Sequence, residues 1–166
     1  MRTLLIALML PTAALAQAPA APATPKPVCT TPEHQQFDFW VGKWDVVQTG
    51  QDQVVAQSLI ESLYNGCGIR ENWMPKNNRT GGSLNIWLPD EKVWKQTWID
   101  SDGARADFVG GWTGKQMVLT GKWGGPLVRM TYTPNADGSV RQFGEQSTDE
   151  GKTWSPSFDF TYRRAK

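Results

Sequence analysis

The chain of 166 residues balances 17 Lys and Arg residues against 16 Asp and Glu residues and contains one histidine. These charges are interspersed along the sequence, so they form no basic stripe for nucleic acid or for an anionic membrane surface. The length suits one domain with a sizeable core. The sequence has no Gly-rich phosphate loop, zinc pattern or Gly-x-Ser-x-Gly elbow, so we expect no cofactor and no metal site.

Residues 1–16 have the pattern of a secretory signal peptide. Arg2 precedes an apolar run, and residues 14–16 (Ala-Leu-Ala) form a small-residue site that predicts cleavage after Ala16. The apolar run is too short for an integral membrane span. Residues 17–28 are mostly Ala and Pro and predict an extended linker. This organisation predicts a periplasmic or secreted protein.

Two cysteines, Cys29 and Cys67, remain in the predicted mature chain. In an exported protein, a disulfide is the default state of such a pair. The bond would close a loop of several dozen residues and stabilise the fold by roughly 4 kcal/mol. Free or metal-binding thiols are the alternative, which the single histidine and the lack of a Cys-x-x-Cys pattern disfavour.

Folded sequence begins near Cys29, and we expect the domain to span residues 29–166. Thr31-Pro32-Glu33 predicts a short helical turn, because proline is well tolerated at a helix start. Residues 37–44 (Phe-Asp-Phe-Trp-Val-Gly-Lys-Trp) then bring four aromatic side chains to the start of the first strand. We expect Trp44, the last residue of a Gly-x-Trp segment, to plug one end of a β-barrel.

From residue 41 to residue 164, short runs of β-branched and aromatic residues alternate with Gly, Asn, Asp and Pro. About ten such runs at regular spacing predict consecutive antiparallel hairpins. We therefore predict an all-β, antiparallel up-and-down β-barrel of about 8–10 strands, because a sheet of that size tends to close on itself. A two-sheet sandwich is the alternative. The main turn signals lie at residues 50–52, 65–66, 89–92, 101–103, 135–138 and 149–151.

Tryptophan and amide side chains share one face of the predicted hairpin over residues 83–100. Strand alternation places Gln96 beside Trp98 in its second half, and Asn85 beside Trp87 in its first half. Such a mixed surface supplies apolar area and a few orienting polar groups, as a ligand cavity requires. Tryptophan packing on a solvated surface is the alternative. The predicted ligand-binding residues are Trp73, Asn85, Trp87, Gln96, Trp98 and Arg129.

Charged side chains inside the predicted strands are candidate catalytic residues. By alternation, Glu71 shares a face with Trp73. Glu145 shares a face with Phe143 and Arg141. Inside a barrel such charges would have to be paired, and they would form a polar binding floor. Glu71 and Glu145 are therefore the candidate general acid or base, and the alternative is that they face water.

Residues 147–154 (Ser-Thr-Asp-Glu-Gly-Lys-Thr-Trp) resemble the Asp-box of sialidases and other β-propellers. In that motif, Ser and Asp side chains bond to turn amides, Gly takes a positive φ and Trp packs beneath the turn. A single copy in a chain of this length cannot build a propeller. We therefore predict a hairpin turn and infer no glycosidase chemistry.

Residues 37–44 are also similar to the opening signature of a lipocalin-like bacterial family that is described as a domain of unknown function. Segments of the same family pattern lie at residues 83–87, 96–100, 132–135 and 145–164, so the resemblance covers most of the mature chain. The resemblance implies a lipocalin-like barrel. It implies no established activity.

In lipocalins, the tryptophan of Gly-x-Trp packs against an arginine of the last strand. The resemblance therefore implies a structural pair between Trp44 and an arginine near residue 164. Alternation puts Arg164 on the same face as Tyr162, so we favour Arg164 as the partner, with Arg163 second. A guanidinium over an indole face contributes about 0.5–2 kcal/mol.

Three hypotheses for function follow. We favour an exported barrel that binds a small apolar or amphipathic molecule in a cavity of tryptophan and amide side chains. The second hypothesis is an enzyme of the isomerase, hydratase or cyclase type, with Glu71 or Glu145 as acid or base. The third is a structural or partner-binding envelope protein. A haem protein is disfavoured, because the single histidine, His34, precedes the barrel.

Overall fold

The computed structural model describes residues 29–166, and these residues form ten β-strands and three short 3-10 turns. The predicted signal peptide (1–16) and linker (17–28) lie outside the described residues. The 3-10 turns span Pro32–Gln35, Asp38–Trp40 and Tyr64–Gly66. The strands are β1 Gly42–Gln48, β2 Val54–Leu63, β3 Gly68–Pro75, β4 Gly81–Leu88, β5 Val93–Asp100, β6 Arg105–Trp112, β7 Met117–Lys122, β8 Leu127–Pro134, β9 Val140–Ser147 and β10 Ser155–Arg164.

The strands form one closed antiparallel barrel with up-and-down connections. Each strand pairs with its neighbours in the chain, and β1 closes the ring by pairing with β10. In that closing pair, Trp44 lies opposite Arg164 and Val46 lies opposite Tyr162. The predicted up-and-down barrel is therefore confirmed. The sandwich alternative is wrong, because a continuous ring of paired strands does not divide into two sheets.

Strand alternation decides which side chains reach the interior. In β8, Val128, Met130 and Tyr132 are buried. Arg129 and Thr131 alternate with them and therefore point to the outer wall. The interior of the barrel is thus built from every second residue of each strand.

Gly110 allows β6 and β7 to approach closely. A Cβ atom added at Gly110 would lie 1.9 Å from the carbonyl oxygen of Val118, whereas one added at Gly111 would meet nothing within 4 Å. We expect Gly110→Ala to destabilise the protein by about 1–3 kcal/mol, because the backbone must shift to admit the methyl group. Gly111→Ala is the matched control. Urea unfolding of both variants tests this expectation, which equal losses of stability at the two sites would refute.

The first two 3-10 turns close one end of the barrel. Phe37 and Trp40 are fully buried there, and their ring centroids lie 4.9 Å apart. Trp40 also lies 4.9 Å from the ring of Tyr132 inside the barrel. Trp44 Nε1 donates a hydrogen bond of 2.8 Å to the carbonyl oxygen of Trp40. The sequence predicts a plug from Trp44 alone. In the structure, three aromatic side chains form the plug: Phe37, Trp40 and Trp44.

Arg164 covers the outer side of this plug. Its guanidinium carbon lies 3.9 Å from the ring centroid of Trp44, and its Nη1 donates a hydrogen bond of 2.8 Å to the carbonyl oxygen of Val41. Arg163, the second candidate, points elsewhere and pairs with Asp52 at 3.1 Å. The contact between Trp44 and Arg164 ties β1, β10 and the preceding turn together at the closed end.

A disulfide joins Cys29 to Cys67 and confirms the predicted pairing. Cys67 follows the third 3-10 turn, between β2 and β3. The bond therefore anchors the segment before the first 3-10 turn to the barrel wall. Disulfides persist in oxidising compartments, so this bond fits a location outside the cytoplasm.

Candidate ligand-binding site

The end of the barrel opposite the plug opens into a cavity of about 460 Å³. Cavities that bind small molecules usually measure roughly 300–1,000 Å³. Polar residues at strand ends and in the connections, among them Gln48, Asn77, Arg79 and Asp100, surround the mouth. Aromatic side chains line much of the wall: Trp73, Trp98, Phe108, Trp123, Phe158 and Phe160.

The aromatic side chains near the mouth fall into two groups. The rings of Trp98 and Trp123 form one group, with centroids 5.9 Å apart. Phe160 is the centre of the other group, 5.6 Å from Trp73 and 5.5 Å from Phe158. These rings give the cavity broad apolar surfaces against which a ring or an alkyl chain can pack.

Hydrogen-bonded polar side chains form the floor of the cavity. On one side, Ser83 Oγ donates to Glu71 Oε2 at 3.0 Å, and Asn85 Nδ2 donates to Ser83 Oγ at 3.1 Å. Gln96 Nε2 in turn donates to Asn85 Oδ1 at 2.7 Å. These side chains belong to a set that we call the polar ring: Glu71, Ser83, Asn85, Gln96, Tyr132, Gln142 and Tyr162.

The other side of the polar ring comes from β8, β9 and β10. Gln142 Nε2 donates to Tyr132 Oη at 3.0 Å, and Tyr162 Oη donates to Gln142 Oε1 at 2.7 Å. Gln96 Nε2 lies 3.4 Å from Tyr132 Oη and connects the two sides. Because both tyrosines also pack against Trp40, the polar ring separates the aromatic plug from the open cavity.

Glu71 is the carboxyl group of the polar ring and is only 5% exposed. Burial raises its pKa from 4.5 to about 7, and the hydrogen bond from Ser83 offsets only part of that rise. Burial, and next the charge of Glu71, also raises the pKa of the Tyr132 and Tyr162 hydroxyls, so both stay protonated. Glu71 is therefore the group of the floor that changes charge near neutral pH.

Replacing Glu71 with glutamine is expected to stabilise the protein at high pH. The folded protein holds the Glu71 proton more tightly than the unfolded chain, so stability falls as the pH rises from 4.5 to about 7. The shift corresponds to about 3 kcal/mol. Urea unfolding should give similar stabilities for the wild type and Glu71→Gln at about pH 4. At about pH 8, Glu71→Gln should be more stable than the wild type by about 3 kcal/mol.

Asp90→Asn is the control for this prediction, because it removes one negative charge from the exposed turn between β4 and β5. It separates the effect of net charge on stability from the effect of a buried carboxylate. If Glu71→Gln gained no more stability between the two pH values than Asp90→Asn, the conclusion that Glu71 ionises in a buried position would be contradicted.

Four of the residues that the sequence nominates for the site line the cavity: Glu71, Trp73, Gln96 and Trp98. Asn85 lies in the polar ring between Ser83 and Gln96 and is almost completely buried. Its amide positions Gln96 and does not line the cavity.

Trp87 does not lie at the cavity. It shares the inner face of β4 with Asn85, but it lies two residues nearer the closed end, a distance of roughly 7 Å along a strand. There its ring packs 6.5 Å from that of Trp94, which in turn contacts Phe37 of the plug. Alternation predicts the correct face for Trp87 and gives no information on depth.

Arg129 and Glu145 do not reach the cavity either. They lie opposite each other on the outer wall of β8 and β9, where Arg129 Nη2 is 2.8 Å from Glu145 Oε2. The inner face of β9 carries Val140, Gln142 and Gly144. The prediction that Arg129 orients a ligand and that Glu145 acts as acid or base in the cavity is therefore wrong, because alternation turns both side chains outward.

Several cavity residues in the second half of the chain were not predicted. In β8 the alternation of Val128, Met130 and Tyr132 is a clear apolar signal for an inner face, and it identifies Tyr132. In β9 both faces carry polar side chains, so Gln142 has no such signal. From residue 108 onward, the lining residues that the sequence does not nominate are Phe108, Trp123, Met130, Tyr132, Gln142, Phe158, Phe160 and Tyr162.

The Asp-box-like segment forms the turn between β9 and β10, as predicted. Thr153 donates to Asp149 through its backbone N–H at 2.9 Å, and Gly151 N–H donates to Ser147 Oγ at 2.8 Å. The bonds from the Thr153 side chain and then its backbone lower the pKa of Asp149 to about 2. Trp154 Nε1 donates to the carbonyl oxygen of Gly151 at 3.0 Å. The segment is structural.

The outer wall of β4, β5 and β6 exposes aliphatic side chains. Leu84 is 55% exposed and Ile99 is 57% exposed, and Ile86 and Val109 lie on the same wall. Exposed tryptophans beside a closed interior would favour the hypothesis of a partner-binding protein. Within residues 29–166 the large exposed apolar side chains do not include tryptophan, and the interior is open at one end. The described residues therefore show neither of the two features that would favour this hypothesis.

No model of a known protein family matches the chain, and a search of curated proteins finds no similar sequence. The resemblance to the lipocalin-like bacterial family stays a prediction. Within the part of the chain that the structure describes, no helix has both the length and the hydrophobicity to cross a bilayer.

Proposed function

We propose that this protein binds a small, partly apolar molecule in the open end of its barrel. The observation that carries the proposal is the cavity of about 460 Å³, which has aromatic walls and a hydrogen-bonded polar floor. Trp73 on β3 and Trp98 on β5 supply apolar area on the wall, and Gln96 and Glu71 supply polar groups at the floor. Few precisely placed polar groups within an apolar cavity are typical of sites that orient a small ligand.

The same proposal includes export of the protein to the periplasm or the medium. The signal-peptide pattern of residues 1–16 supports export. The Cys29–Cys67 disulfide is consistent with it, since such bonds persist in oxidising compartments. Membership of the lipocalin-like bacterial family, which residues 37–44 suggest, is part of this proposal.

Titration with N-phenyl-1-naphthylamine, an apolar dye that fluoresces when it is shielded from water, tests binding. We expect a saturable increase in fluorescence for the wild type and a weaker affinity for Trp98→Ala, which removes part of the wall. Trp154→Ala is the matched control, because Trp154 lies under the outer hairpin turn. Binding that Trp154→Ala weakens as much as Trp98→Ala does would argue against the cavity as the site.

Native mass spectrometry of the protein purified from its own host, without denaturation, identifies the natural ligand. A retained small molecule would give its mass and chemical class. The amount retained should fall in Trp98→Ala and stay unchanged in Trp154→Ala. A molecule retained equally by both variants would have to bind outside the cavity.

Catalysis is a second candidate function, and the position of Glu71 favours it. A buried carboxyl with a pKa of about 7 can donate or accept a proton at neutral pH. An isomerase, hydratase or cyclase that acts on an apolar substrate could use such a group.

Incubation of the retained molecule with the protein in deuterium oxide tests this candidate. If the wild type exchanges carbon-bound hydrogen of the retained molecule for deuterium and Glu71→Gln does not, catalysis is supported. If neither protein causes this exchange, proton transfer to carbon is excluded.

A further inference from the structure

The charges around the cavity are distributed unevenly. Arg79 and Asp100 lie at its mouth and are engaged there, Arg79 Nε with Asp102 Oδ2 at 2.7 Å and Asp100 Oδ1 with the Ala104 N–H at 3.0 Å. Glu71 is buried at the floor. Among the lining residues that the structure describes, no basic side chain pairs with Glu71. The ionised carboxylate of Glu71 therefore has no positively charged side chain of the protein as a partner among these residues.

The donors of the floor are used within the floor itself. Gln96 Nε2 contacts Asn85 and Tyr132, and Gln142 Nε2 contacts Tyr132 and the sulfur of Met130. An ionised carboxylate, by contrast, is purely an acceptor with about four lone-pair positions. Ser83 uses one of these positions on Glu71, and the Ser58 and Tyr162 hydroxyls are also within its reach. The acceptor positions that remain on Glu71 suit a ligand that donates hydrogen bonds.

Aromatic side chains flank the carboxyl. Trp73 follows Glu71 by two residues on the inner face of β3, and its ring lies 5.6 Å from Phe160 and 6.4 Å from Tyr162. The faces of such rings are electron-rich and attract cations. A carboxylate beside aromatic faces is complementary to a positively charged nitrogen that carries apolar substituents.

We propose that the ligand carries a positively charged amine or ammonium group, and that Glu71 is its counter-ion while Trp73 and Phe160 flank the cation. This inference rests on the proposed binding function and names the chemical class of the ligand. An anionic ligand is disfavoured, because it would place a second negative charge beside Glu71 with no basic side chain at the floor.

The titration of Glu71 near neutral pH gives this proposal a measurable signature. A cation that pairs with Glu71 replaces its proton, so affinity should fall by about tenfold for each pH unit below about 7. Tyr132 and Tyr162, the other titratable groups that face Glu71, stay protonated. Arg79 and Asp100 are the charged groups at the mouth. A quaternary ammonium ion is the suitable probe, because it does not itself titrate.

Two probes of the same shape, phenyltrimethylammonium and tert-butylbenzene, isolate the effect of the charge. Calorimetric titration at about pH 8 should show that the cation binds the wild type more tightly than its neutral isostere does. Glu71→Gln should weaken binding of the cation by about 30-fold or more and leave tert-butylbenzene nearly unaffected, because only the cation loses a charged partner. Glu145→Gln is the control and should change neither affinity.

The outcomes separate this inference from the proposed function. Equal or tighter binding of tert-butylbenzene to the wild type would overturn the inference and leave the binding function standing. Failure of both probes, while N-phenyl-1-naphthylamine still binds, would also overturn it. Failure of all three compounds would overturn the proposed function together with the inference. Glu71→Gln is expected to fold, since it removes a buried charge.

Discussion

Replacing Trp40 with alanine is expected to destabilise the protein by about 3–5 kcal/mol, the range for buried tryptophan or phenylalanine to alanine changes. Trp40 is fully buried, and its ring packs against Phe37, Tyr132 and Tyr162 at 4.9, 4.9 and 6.0 Å. Its removal would leave a cavity where the plug meets the polar ring. Chemical unfolding of the wild type and Trp40→Ala measures the loss.

Trp40→Phe is the matched control for this prediction. Trp40 Nε1 is buried and has no hydrogen-bond partner among the described residues, so phenylalanine keeps much of the apolar area and loses no hydrogen bond. We expect Trp40→Phe to lose less than half as much stability as Trp40→Ala. A loss for Trp40→Ala below about 1 kcal/mol, within the range of an Ile→Val truncation, would contradict the view that this residue seals the barrel.

Removal of the disulfide by the double substitution Cys29→Ser and Cys67→Ser is expected to destabilise the protein by about 4 kcal/mol, on the chain-entropy account. The two cysteines are 38 residues apart, so the bond restricts a long loop in the unfolded chain. Guanidinium unfolding of the double variant and of the oxidised wild type measures the difference.

Reduced wild-type protein is the control for the disulfide prediction, because it lacks the bond and keeps both side chains. Its stability should match that of the double variant. If the oxidised and reduced wild-type proteins unfolded at the same denaturant concentration, the bond would contribute nothing to the stability of the barrel.

The architecture of the barrel could be predicted because its signals are local. Turn residues recur between short β-branched and aromatic runs, and each signal acts within a few residues of its position in the sequence. Closure follows from the number of strands, since an open sheet of ten strands would leave two unpaired edges. Strand alternation is also a local signal. It favours Arg164 over Arg163 as the partner of Trp44, and the structure places the Arg164 guanidinium over the Trp44 ring.

The candidate site could be predicted only in part, because alternation gives the face of a strand and nothing else. It places Trp73, Gln96 and Trp98 on the inner face, where they line the cavity. It places Trp87 on the inner face as well, and it does not reveal that this ring packs at the closed end. Depth depends on how far each strand is displaced against its neighbours, which is a property of the pairing and not of one strand's sequence.

Strands with polar residues on both faces limit the prediction of the site in a second way. In β9, Gln142 faces inward while Arg141 and Glu145 face outward, so polarity alone could not distinguish the two faces. The sequence therefore nominates Glu145 for the cavity, although its carboxylate pairs with Arg129 on the outer wall. The same reasoning nominates Glu71, and this carboxyl is indeed buried in the polar ring. Burial is tolerated there because hydroxyl groups replace part of the hydration of the carboxyl.

A crystal structure of the protein with N-phenyl-1-naphthylamine tests the central claim most directly, because it shows where a small apolar molecule binds. We predict density for the dye inside the open end of the barrel, between Trp73 and Trp98 and above the polar ring. Density on the aliphatic outer wall near Leu84 and Ile99, with nothing bound inside the barrel, would contradict the claim that the cavity is the binding site.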